Sequence, residues 1–179
     1  MSDNALWIAS LTAGTAVLAS WVTSWGTTRA ARIQADTVTT AQREERRREA
    51  RRTAYADLLE QAQRLGDLYR QVSDLSAEGG TAADRARLVD LRERQRDEYS
   101  RLRHCVWIVS LEGPETVADA ADALRHATTP PFRALEAMIE GDPSAADPSA
   151  ADRFAASRAP FWESVIAFAA AAREVLQQS

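Results

Sequence analysis

The chain has 179 residues, of which 45% are apolar and 27% charged, enough for one modest domain with a hydrophobic core. Alanine is abundant and Gly numbers only 7, which favours helix, while the regular Val, Ile and Thr runs of strands are missing. The net charge of −4 is uneven: residues 29–52 carry eight Arg against four acids, and residues 53–179 carry fourteen Arg against twenty-one acids. An acidic distal region excludes a nucleic-acid interface there, because phosphate binding needs a basic face.

The first 28 residues are predicted to form a transmembrane anchor. Asp3 and Arg29 bracket 25 residues without a charge, and the apolar stretch 5–25 would span about 31 Å as a helix, against a hydrocarbon core of about 30 Å. Indole rings prefer the membrane–water interface, and tryptophans lie near both ends. These are Trp7, Trp21 and Trp25.

Two other interpretations of this stretch are less favoured. A signal peptide needs a basic start, whereas Ser2, Asp3 and Asn4 open the chain. A soluble amphipathic helix would carry charged residues on the face opposite its bulky apolar side, whereas here that face has only small and hydroxyl side chains. Small residues recur there every fourth position, which suits either close self-association of two spans or an accident of composition. They are Thr12, Ala16, Ser20 and Ser24.

The flanking charges predict the orientation of the span. Asp3 is the only charged side chain before it, and Arg29, Arg32 and Arg43 follow it. Because basic residues near a span stay in the cytoplasm, we expect a single-pass protein of the cell membrane whose C-terminal domain is cytoplasmic.

Residues 29–52 are predicted to form a polar helical stalk. No apolar face runs through them, so ion pairs such as Glu44–Arg48 and Glu45–Arg48 would support the helix. Two alternatives remain. Arg29 and Arg32 lie near enough to contact anionic lipid headgroups, whereas interspersed glutamates oppose contact with nucleic acid.

Residues 53–179 are predicted to form an antiparallel four-helix-type bundle, because apolar residues recur at spacings of three and four. The helices carry these stripes: Tyr55, Leu58, Ala62, Leu65, Tyr69 and Val72; Leu88, Leu91, Gln95, Tyr99, Leu102, Val106 and Val109; Val117, Ala121, Leu124, Phe132, Leu135, Met138 and Ile139; Phe154, Phe161, Val165, Phe168, Ala172 and Val175.

Glycines and prolines predict the breaks between these helices. Gly79 and Gly80 end the first helix, and Gly113-Pro114 separates the second from the third. Thr129-Pro130-Pro131 is expected to kink or interrupt the third helix. A five-residue duplication, Asp142–Ala146 followed by Asp147–Ala151, reads as a surface loop.

No catalytic, cofactor or metal site is predicted. His104 and Cys105 are adjacent and so point about 100° apart on a helix. Asp122 and His126 share a face and supply at most half a metal site, whereas zinc needs three or four ligands. Cys105, as the only cysteine, excludes an internal disulfide and is interpreted as a packed thiol. Trp107, Trp162 and the phenylalanines of the last helix are expected in the core, and an aromatic ligand pocket between helices is the less favoured alternative.

The chain resembles a class of single-span, helical-bundle membrane proteins of high-GC Gram-positive bacteria for which no activity is established. The resemblance rests on the uncharged span, Arg29-Ala30-Ala31-Arg32, the basic run into residues 52–59, and residues 111–117. It implies an anchor with a helical domain and assigns no functional residue.

The sequence therefore predicts a non-enzymatic, membrane-anchored interaction or scaffold protein. Its expected partners are the membrane, an unidentified protein and a second copy through the span. The alternative is a helical bundle that senses a ligand outside the cell, which requires the opposite orientation.

Overall fold

The computed structural model describes residues 40, 42–77, 82–140 and 148–178. Within these residues the chain is almost entirely helical and contains no strand, which confirms the all-α class. None of the described helices combines the length and apolar character that a bilayer crossing needs. The predicted span 1–28, its flanking charges and small-residue stripe, the Gly79-Gly80 break and the first duplicated copy lie outside the described residues.

Five helical segments follow one another in the described chain. They are α1 (42–77), α2 (Ala82–Glu112), α3 (Glu115–Ala127), α4 (Thr129–Glu140) and α5 (Pro148–Gln178). Two units divide the chain, Met1–Arg46 and Arg47–Ser179. The described residues of the first unit, 40 and 42–46, are helical. Everything below concerns the second unit.

The second unit is a helical bundle in which α1 packs between α2 and α5. On α1, Arg51 Nε donates to the Glu112 carbonyl at 2.8 Å and Gln61 Nε2 to the Glu98 carbonyl at 3.1 Å. The later of these two α1 residues contacts the earlier of the two α2 residues, so the two helices are antiparallel. Helices α3 and α4 occupy the remaining position, where both pack against α2 and α5.

The core consists largely of the predicted stripes. Every predicted residue of α1 is buried, from Tyr55 to Val72, and so are Phe154, Phe161 and Phe168 of α5. Full burial of each large apolar side chain contributes about 1.5–3 kcal/mol. A 3.6-residue period places such residues on one side of a helix, and here that side is the one that faces the other helices.

Thr128 separates α3 from α4, as the prolines predict. Its backbone remains near the helical region, with φ −78° and ψ −17°, and its N–H donates to the Arg125 carbonyl at 3.3 Å. Pro130 and Pro131 fall in the first turn of α4, where a missing N–H costs least. The predicted kink is therefore confirmed as a break between two helices.

The second duplicated copy is not a loop as predicted. From Pro148 onward the chain belongs to α5, and Ala150 is buried in it. Proline suits the first helical position and alanine favours helix, so these residues extend α5 rather than interrupt it. The same helix continues through Pro160.

Trp107 was predicted to lie in the core, and this prediction is wrong. Its side chain is 65% exposed, because Val106 occupies the core-facing position and Trp107 follows it about 100° around α2. Trp162 is partly buried, as expected of a core residue, and packs against the core with its ring close to Gly66 on α1.

Candidate functional site

The C-terminal part of α2 presents large apolar side chains to solvent. Trp107 is 65% exposed and Leu111 is 79% exposed. Residues four apart lie on the same side of a helix, so the two form one patch. We name the Trp107 face as the surface formed by Arg103, His104, Trp107, Ser110 and Leu111. Among the described residues, Ile166 on α5 is the other exposed large apolar side chain.

A groove of about 820 Å³ lies beside this face, between α2 and α3. Trp107, Arg103 and His104 line it from α2, and Asp122 and Arg125 line it from α3. The sequence periodicity positions both sets, because Val106 and Val109 anchor α2 while Ala121 and Leu124 anchor α3 in the core. The neighbouring residues of each helix therefore face the groove.

Asp122 organises the charges on the α3 side. Its Oδ1 accepts a hydrogen bond from Arg125 Nε at 2.8 Å, and its Oδ2 lies 3.2 Å from His126 Nε2. Hydrogen bonds with Asp122 and then with Tyr99 raise the pKa of the Arg125 guanidinium above its ordinary value. Arg125 is thus fixed as a cation at the groove, and the predicted proximity of Asp122 and His126 is confirmed.

The structure brings the sequence candidates together only in part. His104 lines the groove with Asp122, but Cys105 is half-buried on another side of α2. Burial, followed by the charge of Asp57, raises the pKa of the Cys105 thiol. A raised pKa favours the protonated thiol, which is the poorer nucleophile, and this agrees with the interpretation of Cys105 as a packed thiol.

The described part of the chain holds no group of three or more His, Cys, Asp or Glu residues placed to bind a metal ion. The Trp107 face and the groove beside it offer recognition by an indole, a leucine side chain and guanidinium groups. Sequence reasoning missed this surface, although the spacing of Trp107 and Leu111 outside the α2 stripe was a usable signal.

No protein family, curated protein or solved structure shows significant similarity to this chain.

Proposed function

We propose that the protein is a non-enzymatic, membrane-tethered interaction module whose bundle docks a partner protein through the Trp107 face. The observation that carries this proposal is the exposed Trp107–Leu111 pair beside a groove lined by arginines. Tryptophan and arginine are the residues most enriched among side chains that dominate binding energy at protein interfaces.

Charge defines the partner that this face suits. Residues 53–179 have a net charge of −7, yet the groove carries Arg103 and Arg125 against the single carboxylate of Asp122. A local basic groove on an acidic domain favours an acidic occupant, whereas the net negative charge of the whole domain opposes its association with a second copy. We therefore expect a partner segment that has an apolar side chain flanked by Asp or Glu.

The membrane tether is inferred from the sequence alone. The uncharged stretch before Arg29 has the length of a membrane span, and the arginines after it favour a cytoplasmic bundle. In this arrangement the bundle recruits its partner to the inner face of the membrane. The alternative of a ligand-sensing bundle outside the cell predicts the opposite topology.

Labelling in cells separates these two topologies. Cys105 is replaced by Ala, one cysteine is appended after Ser179, and intact and lysed cells are treated with a membrane-impermeant maleimide. Labelling only after lysis, with the protein retained in carbonate-washed membranes, supports the cytoplasmic module. Labelling of intact cells supports the sensor instead, and a protein that washes off the membrane contradicts the tether.

Site-specific photo-crosslinking tests the docking face. A photoreactive amino acid replaces Leu111 in the full chain, and the matched control carries it at Ile166, which is 67% exposed on α5. We expect a crosslink from position 111 alone, to a partner segment that contains acidic residues around an apolar one. The purified partner should then bind Trp107→Ala at least about 30-fold more weakly, since truncating an interface anchor costs about 2 kcal/mol or more.

Two results would contradict this assignment. One is equal crosslinking from positions 111 and 166. The other is a partner whose affinity is unchanged by both Trp107→Ala and Arg103→Glu. A crosslink to a second copy of the chain would replace the acidic partner with self-association.

A further inference from the structure

A second groove, of about 660 Å³, lies on another side of the bundle, where the end of α3 and the first turns of α4 pack against α5. Its basic side chains come from all three helices: His126 from α3, Arg133 from α4 and Arg153 from α5. None of the carboxylates in the described part of the chain lines it. We call this surface the Arg133 groove.

A lining without a carboxylate stands out in this acidic domain. After residue 52, acids outnumber arginines by twenty-one to fourteen. Several arginines, such as Arg101 and Arg125, form an ion pair with an acid three residues earlier in the same helix. The residues three and four positions before Arg133 are a proline and a threonine, so the start of α4 offers it no such partner.

The acid one turn after Arg133 contacts a different helix. Glu136 lies 3.5 Å from the guanidinium of Arg96 on α2. Arg133 is exposed, and it forms no ion pair with a carboxylate of the described residues. Its N–H donors are therefore accessible to a molecule that enters the groove.

The excess positive charge of the groove comes from its two guanidinium groups. His126 lies 3.2 Å from the carboxylate of Asp122, so that pair adds little net charge. The N-terminus of α4 also adds little, because its two prolines remove N–H groups from the first turn. Arg133 and Arg153 thus present two positive charges from neighbouring helices.

These two groups suit the oxygens of a phosphate. The planar fork of a guanidinium matches phosphate geometry, and a phosphate monoester carries about −1.5 to −2 charges at neutral pH. The exposed Thr129 hydroxyl lies in the same lining and is a further donor. Pro130, Ala134 and Ala156 supply an apolar surface beside them, and the groove volume is typical of small-molecule sites.

The position of the groove bears on where such a phosphate comes from. Arg51, near the start of α1, contacts the last residue of α2, so α3 begins at that same end of the bundle. His126 follows Glu115 by eleven residues, a rise of about 16 Å along α3. Given the membrane tether proposed above, which would extend from this end, a soluble molecule is favoured over a lipid headgroup.

We propose that the Arg133 groove binds the phosphate monoester group of a small soluble molecule. Arg133 and Arg153 donate to the phosphate oxygens, and the organic part of the molecule lies on the apolar surface. The site uses none of the residues of the Trp107 face, so its phosphate chemistry can be tested independently of partner docking.

Ligand-observed NMR on the full chain, in micelles of an uncharged detergent, tests the site with phenyl phosphate as the probe. Phenyl sulfate is the matched probe, because it has the same ring but a single negative charge. We expect saturable binding of phenyl phosphate, and binding of phenyl sulfate weaker by at least about threefold. Arg133→Gln and Arg153→Gln should each weaken phenyl phosphate about five- to tenfold.

Arg173→Gln is the matched control variant. Arg173 is an exposed arginine of the same helix as Arg153, twenty residues further on, so its replacement removes the same charge outside the groove. Phenyl phosphate binding should be almost unchanged in this variant. An equal loss in all three variants would show general attraction to positive charge and would overturn the site.

The remaining outcomes also decide the proposal. An absence of saturable binding would overturn it, and equal affinity for the two probes would remove the assignment to a phosphate monoester. Phosphatidic acid added to the micelles tests the source, because it carries the same monoester on a lipid. Unchanged phenyl phosphate binding supports a soluble ligand, whereas displacement would replace it with a lipid headgroup.

Discussion

Helix α1 packs very differently against its two neighbours. Against α5 it places aromatic rings edge to face: Tyr55 on Phe168 at 6.0 Å, and Tyr69 on Phe154 at 5.9 Å and on Phe161 at 5.1 Å between ring centroids. Against α2 it forms polar contacts, such as that of Gln61 with Glu98, and its Tyr69 hydroxyl lies beside Gln95. We call the first region the α1–α5 seam and the second the α1–α2 side.

The contrast shows how stability is distributed over the two sides of α1. Edge-to-face aromatic pairs contribute about 0.5–1.5 kcal/mol each beyond the area they bury. Tyr69 belongs to both regions, because its ring packs in the seam while its hydroxyl lies beside Gln95 of α2. The predictions below separate the two contributions, from the largest expected effect to the smallest.

Phe161→Ala should produce the largest loss. The ring is fully buried and contacts both Tyr69 and Trp162, so its removal should lower the free energy of unfolding by about 3–5 kcal/mol. Urea denaturation followed by circular dichroism measures this. The control is Ile166→Ala on the same helix, which should cost less than about 0.5 kcal/mol. A similar loss in both variants would remove the distinction between seam and surface.

Gly66→Ala tests how closely the seam is packed. A Cβ atom at this position would lie 2.8 Å from Trp162 Cη2 and closer still to Cζ2, so overpacking should cost about 1–3 kcal/mol. Helix propensity returns about 1 kcal/mol, which leaves a small net loss.

The same substitution in a Trp162→Leu background gives the sharper result. With the indole removed, only the higher helix propensity of alanine should affect the free energy of unfolding, so Gly66→Ala should become stabilising. Chemical denaturation of the four proteins forms a double-mutant cycle. Additive effects would show that the two residues do not contact each other in solution.

Arg64→Ala should have the smallest effect. Its ion pair with Glu60 measures 2.6 Å, but both side chains are more than half exposed, so solvent screens the pair and its contribution to stability is small. A shift in the thermal midpoint of no more than about 1–3 °C is expected. A shift as large as that of Phe161→Ala would mean that surface charge, rather than the seam, contributes much of the stability.

Much of the fold could be predicted because burial follows helical period. Phe154, Phe161 and Phe168 are spaced by seven, and all are buried as expected. The break near Thr128 followed from prolines that lack an N–H. The second duplicated copy was wrongly predicted to be a loop, because Asp, Pro and Ser are common both in loops and in the first turn of a helix.

The functional surfaces were harder to predict, for physical reasons. Helix α2 has more apolar residues than its core-facing side can hold, and the sequence does not show that Trp107 is the one excluded. The groove beside the Trp107 face depends on side chains that converge from α2 and α3, which no local pattern encodes.

The free energy of unfolding of Tyr69→Phe tests most directly the central claim that ring packing in the α1–α5 seam stabilises the bundle. The substitution keeps the ring in the seam and removes only the hydroxyl. We predict a loss of less than about 1.5 kcal/mol, because one hydrogen bond contributes no more than that, against about 3–5 kcal/mol for Phe161→Ala. A loss as large as that of Phe161→Ala would show that polar contacts, rather than ring packing, stabilise α1 in the bundle and would contradict the account.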